Sequence, residues 1–86
     1  MPPIEIYTRP FCSYCADAKD LLRSKGAEFK EIVVNGDATL RAQMIERSGG
    51  ASTYPQIFIG STHVGGCDEL YALERAGRLD LLLAES

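Results

Sequence analysis

Ile4-Glu5-Ile6-Tyr7-Thr8, then Arg9-Pro10-Phe11, then Cys12-Ser13-Tyr14-Cys15: read in order, this run is a strand, a break and a pair of thiols. The alternation of apolar and polar residues from Ile4 to Thr8 has the two-residue period of a strand. Pro10 has no N–H to give a ladder and ends it. From Ser13 to Lys25 the period changes. Ala18, Leu21, Leu22 and Lys25 recur at three- and four-residue steps, and Gly26 after a cation is a ready helix stop. The two cysteines therefore stand where a strand hands over to the start of a helix.

Outward from this junction the pattern continues to alternate. Glu28 to Val34, rich in Phe, Ile and Val, reads as a second strand, and Asn35-Gly36-Asp37 as a turn whose Asp37 caps the next helix. Leu40, Met44 and Ile45 form that helix's apolar stripe, which ends at Ser48-Gly49-Gly50. Gln56 to Ile59 reads as a short buried strand, turning at Gly60-Ser61 into Thr62-His63-Val64. Gly65-Gly66 closes the hairpin, Leu70 and Leu73 mark a third helix broken at Ala76-Gly77, and the leucines from Leu79 to Leu83 form a short helical tail. The order is β-α-β-α-β-β-α. A right-handed crossover makes the first two strands parallel and the hairpin adds antiparallel ones. The expected fold is α/β, a mixed four-stranded sheet with helices on both faces. With no linker, repeat or low-complexity tract, residues 1–86 are expected to form a single domain.

The chain has 86 residues, 45% of them apolar and 24% charged, the composition of a folded protein and not of a disordered one. A net charge of −3 argues against a nucleic-acid partner held by bulk electrostatics. No apolar run approaches the ~20 residues of a membrane span. Met1-Pro2-Pro3-Ile4-Glu5 lacks the basic flank and apolar stretch of a secretory signal, so a cytoplasmic location is expected. Three cysteines are too few, and odd in number, for a disulfide framework.

Their placement points instead to thiol chemistry. Two residues between Cys12 and Cys15 set both sulfurs near the first helical turn, within reach of a disulfide. Unpaired N–H groups and the positive end of the helix dipole favour thiolate at Cys12, and Arg9 adds a full charge. Asp17, read as lying near the helix start, is expected to limit that effect. Cys15, deeper in the helix, should be buried and the weaker nucleophile. A competing, weaker reading is a structural zinc site formed by Cys12, Cys15, His63 and Cys67. Taken singly, Cys67 reads as a buried small hydrophobe and His63 as a solvent-facing strand residue.

Taken together, Tyr7-Thr8-Arg9-Pro10, Cys12-Ser13-Tyr14-Cys15, Thr53-Tyr54-Pro55 and Gly65-Gly66-Cys67-Asp68 resemble the small bacterial dithiol glutaredoxins over essentially the whole chain. The resemblance implies a thioredoxin fold and a cis bond before Pro55. It implies glutathione-dependent reduction of protein disulfides and protein–glutathione mixed disulfides, by a monomer in which Cys12 attacks and Cys15 resolves. Glutathione would be the co-substrate, with no tightly bound cofactor. The backbone of Tyr54 would pair with its cysteinyl part, and Thr53, Pro55 and Tyr14 would flank it. N–H groups near Gly66 and Cys67 would receive the γ-glutamyl carboxylate, and the Asp68 side chain its ammonium. Arg9, and more loosely Arg41, would face the glycine carboxylate. The motif departs from the family at Ser13, where proline is usual. A freer turn there would let two chains share a [2Fe–2S] cluster through Cys12 and two glutathione thiolates.

Overall fold

The computed structural model describes residues 1–85; Ser86, the last residue of the expected domain, lies outside them. Its elements are β1 (Ile4–Thr8), α1 (Ser13–Ser24), β2 (Lys30–Val33), α2 (Ala38–Arg47), β3 (Gln56–Ile59), β4 (Thr62–Gly65), α3 (Cys67–Arg75) and α4 (Leu79–Leu83). The sheet order is β2-β1-β3-β4. β1 runs parallel to β2 and antiparallel to β3, and β3 pairs antiparallel with β4. This is the expected mixed sheet and the thioredoxin fold.

Strand alternation sorts the core into two layers. Ile4, Ile6, Ile57 and Ile59 face Ala18, Leu21 and Leu22 of α1, Leu70 of α3, and Leu79 and Leu83 of α4. Tyr7 and Phe58 point the other way, onto Met44 of α2 and Val34. Tyr7 is fully buried yet keeps its hydroxyl satisfied. It donates to Gln43 Oε1 at 2.7 Å and accepts from Arg47 at 2.9 Å, and Arg47 also pairs with Glu5 at 2.8 Å. That network ties α2 to β1 from the side opposite α1.

Element ends follow local chemistry. Asp37 caps α2 as expected, accepting from Thr39 and Leu40 N–H groups at 3.0 Å. α1 stops one residue early, with Lys25 as its C-cap and Gly26 at φ 68°. The second strand is shorter than its composition suggests, Lys30–Val33 instead of Glu28 to Val34. It pairs only along Glu5 to Thr8 of β1, which turns away at Arg9-Pro10. Among the described residues no helix is long and apolar enough to cross a membrane.

Leu22 is fully buried between α1 and the sheet. Leu22→Ala is expected to lower unfolding stability by about 3 kcal/mol. Equilibrium urea unfolding checks this, and a loss below about 1 kcal/mol would show that the layer closes over the cavity.

Candidate functional site

The site forms where three loops meet at one end of the sheet. Cys12 is the N-cap of α1, in extended conformation (φ −114°, ψ 108°), and its sulfur accepts the Cys15 N–H at 3.2 Å. A thiolate thus takes the capping role usually played by a serine or aspartate oxygen. Burial alone would push the Cys12 thiol up. The S–H and N–H of Cys15, together with the Arg9 side chain, outweigh burial and hold Cys12 below the ordinary thiol value. Cys15 is its opposite. Burial, the hydrogen bond it gives Cys12 and the Cys12 charge push it up to about 12, against a smaller opposing effect of the Arg9 N–H.

The expected effect of Asp17 on Cys12 needs correction. The first turn of α1 carries no acidic residue. Asp17 is one turn further on, where its carboxylate helps raise the Cys67 thiol, second to burial. Cys67 is buried at the start of α3, as its small apolar reading suggested.

The zinc reading also fails, on geometry. Among the described residues no three His, Cys, Asp or Glu side chains converge as metal ligands. His63 lies instead against Phe58, ring centroids 4.9 Å apart, and its Nε2 meets Gln56 Oε1 at 2.7 Å. The buried Gln56 amide also donates to the Thr53 carbonyl and hydroxyl at 3.0 and 3.1 Å. A hydrogen-bonded line from His63 through Gln56 therefore fixes the loop before Tyr54. A shared [2Fe–2S] cluster would draw on one half-exposed thiolate, Cys12, since Cys15 and Cys67 are both buried.

An open groove of about 570 Å³ includes Arg9 and Tyr14, which flank Cys12 in the chain, although Cys12 and Cys15 do not themselves line it. It is lined by Arg9 and Tyr14, by Thr53 and Tyr54 from the loop before β3, and by Gly66, Cys67 and Asp68 at the start of α3. The Arg9 guanidinium stands 5.7 Å from the Tyr54 ring centroid, so it joins the thiolate to the groove. The Tyr54-Pro55 peptide is cis, and Pro55 is buried beneath the groove without lining it. Arg41 is exposed on α2 and does not line it either.

Two lining residues, Ser52 and Glu69, carried no signal of their own in the sequence. Glu69 matters because its Oε1 accepts the Gly66 N–H at 2.6 Å. Gly66 has no side chain to return the other half of the cap, so the bond is one-sided. Gly65 is at φ 112°, and a Cβ there would sit 2.9 Å from the same oxygen. Both glycines give this carboxylate its place. The Gly66 N–H is thus taken, and the N–H groups of Cys67, Asp68 and Glu69 are the first-turn donors left for a ligand.

The glutaredoxin family profile matches residues 4–64. The chain is 57% identical to a glutaredoxin of Pseudomonas aeruginosa over 84 residues, spanning 98% of this chain and 99% of that one. It is 54% identical to glutaredoxin 3 of Escherichia coli over 83 residues, spanning 96% and 99%. Among solved structures, the solution structure of glutaredoxin from Brucella melitensis superposes with a TM-score of 0.84 at 64% identity, covering 96% of this chain and 89% of that one. A buckwheat glutaredoxin–glutathione complex superposes with a TM-score of 0.85 at 29% identity, covering 95% and 76%.

Arg9 is the side chain carrying a full positive charge among the groups that hold Cys12 down. Alkylation of the reduced protein by iodoacetamide should speed up as pH rises through the Cys12 pKa, which is held below the ordinary thiol value. In Arg9→Met the half-maximal point should move up. An unmoved profile would show that the Cys15 hydrogen bonds suffice without Arg9.

Proposed function

The chain belongs to the glutaredoxin family, and on that premise we propose that Cys12 attacks, Cys15 resolves and the groove beside them holds glutathione. Like the family, the protein is a glutathione-dependent thiol–disulfide oxidoreductase, with glutathione as its co-substrate. The observation that carries the residue assignment is the opposite displacement of two thiols one helical turn apart, Cys12 down and Cys15 up to about 12.

The steps follow from that asymmetry. The Cys12 thiolate attacks the glutathione sulfur of a protein–glutathione mixed disulfide. A Cys12–glutathione disulfide forms, the old sulfur–sulfur bond breaks, and the protein sulfur leaves as a thiolate that takes a proton from water. A second glutathione thiolate then attacks the sulfur of the bound one, releasing glutathione disulfide and returning Cys12 as thiolate. With a protein disulfide, Cys12 first forms a mixed disulfide to the protein. Its negative charge is then gone, and with it the charge repulsion and hydrogen bond that raised Cys15. Cys15 then attacks Cys12, its proton passing to the protein sulfur that leaves as the Cys12–protein bond breaks, and two glutathiones reduce the intramolecular disulfide so closed, releasing glutathione disulfide.

Glutathione is anionic at both carboxylates and cationic at its amine. Its γ-glutamyl end goes to the start of α3, with the Cys67 and Asp68 N–H groups on the carboxylate and the Asp68 side chain on the ammonium. Its backbone pairs with Tyr54, its flanks meet Tyr14 and Thr53, and its glycine carboxylate faces Arg9. Arg41, outside the groove, adds only longer-range attraction. The dithiol and groove are complete in one chain, which supports a monomer of one domain acting on protein disulfides and glutathionylated proteins. Three unpaired thiols suit a reducing compartment such as the cytoplasm.

Reduction of a glutathione mixed disulfide should vanish in Cys12→Ser and largely survive in Cys15→Ser; equal loss in both would overturn the assignment of roles. Asp68→Ala should raise the KM for glutathione about tenfold, the worth of one charge-assisted hydrogen bond. Glu69→Gln removes an acid from an anion's groove and should lower that KM about threefold at low salt, with less effect at high salt. A raised KM would show that the Gly66 cap matters more than the repulsion.

A further inference from the structure

Phe11, the residue before the attacking thiolate, is 106% exposed, the most exposed of the large apolar side chains among the described residues. It is also the one non-glycine residue among them with positive φ, 57°. A left-handed backbone brings Cβ against the carbonyl oxygen, and asparagine or glycine adopts it at lower cost. Neither packing nor backbone preference therefore accounts for a phenylalanine here. The strained turn carries the ring out into solvent next to Cys12. Tyr14, the second residue of α1, is 61% exposed and borders the glutathione groove, whereas Phe11 does not line it.

We propose that Phe11 is a docking residue for the polypeptide side of the substrate, selecting proteins that carry an apolar residue beside the reacting cysteine. This rests on the glutathione reading of the groove. Any protein joined to glutathione by a disulfide must bring its own backbone close to Cys12, because one sulfur–sulfur bond of ~2 Å separates the two partners. Glutathione fills the side walled by Arg9, Tyr54 and Asp68. Phe11 does not line that groove and its ring is fully exposed, so it is free to meet the protein part of the substrate. An apolar side chain there removes both its own surface and the ring from water, while a charged one must be desolvated against the ring. Phe11 takes no part in the exchange of sulfurs. It adds apolar area that only a polypeptide substrate meets, so it sets which proteins are reduced and not whether glutathione is used.

Two glutathionylated decapeptides that differ only in leucine or aspartate beside the cysteine test this, with glutathionylated cysteine as the small reference. The protein as it stands should favour the leucine peptide in kcat/KM by about fivefold, the worth of partial burial of the two side chains. Phe11→Ser should abolish the preference by raising the KM for the leucine peptide, with turnover of the small reference within about twofold of the parent. Phe11→Leu should retain it. Phe11→Asn, suited to the left-handed turn, should lose the preference while unfolding at a urea concentration no lower than the parent. Equal preference in the parent and Phe11→Ser, or equal loss on all three substrates, would overturn the proposal. So would concentration-dependent self-association of the parent that disappears in Phe11→Ser, which would assign the ring to a second copy of the chain. If the parent fails to turn over the small reference at all, the glutathione reading fails first.

Discussion

The Cys15 N–H pointing at the Cys12 sulfur, 3.2 Å away, is the constraint on which the site depends. Helix α1 needs an acceptor at its N-terminus, and the sulfur supplies it. The same bond draws negative charge onto Cys12 and fixes the second cysteine one turn deeper. Burial and the Cys12 charge then keep Cys15 protonated. One helix start thus produces two unlike thiols from identical side chains, and the proposed order of attack and resolution rests on their unlikeness. Around it the sheet acts as a frame. β1 delivers Arg9 to the thiolate, while β3 and β4 bring the Tyr54 loop and the start of α3 to the same end.

The groove shows why an acidic protein can take an anionic co-substrate. The net charge of −3 belongs to the chain as a whole, whereas the groove itself offers Arg9 and the first-turn N–H groups of α3. Glu69 works against that attraction from within the groove. Its carboxylate uses the Gly66 N–H and stands where an anion must approach. Helix stability and ligand affinity pull in different directions at this residue, and the two flanking glycines are the room the compromise needs.

Local patterns were readable wherever one rule governed. The alternation of Ile4 to Thr8, the capping Asp37 and the leucine spacing of α1 each gave their element directly. The Cys-x-x-Cys at a strand–helix junction pointed to redox chemistry before any fold was known. Readings that needed distance in space fared differently. The zinc set required His63 to meet Cys12, but the sheet turns that ring onto Phe58 and Gln56. Asp17 is near Cys12 in sequence, while the packing of α1 on α3 directs its charge to Cys67. Phe11 and Glu69 left no trace in the pattern. A left-handed phenylalanine violates the local preference that would have flagged a glycine or asparagine, and a glutamate in a first helical turn is ordinary until its oxygen is seen on Gly66.

The most direct measurement is an NMR titration of the reduced protein labelled with carbon-13 at the cysteine β-carbons, which follows all three thiols at once. Cys12 should titrate first, below the ordinary thiol value, with Cys67 above it and Cys15 last, at about 12. A Cys12 that titrates at or above the free value, or after Cys67, would contradict the account that the helix start makes it the nucleophile.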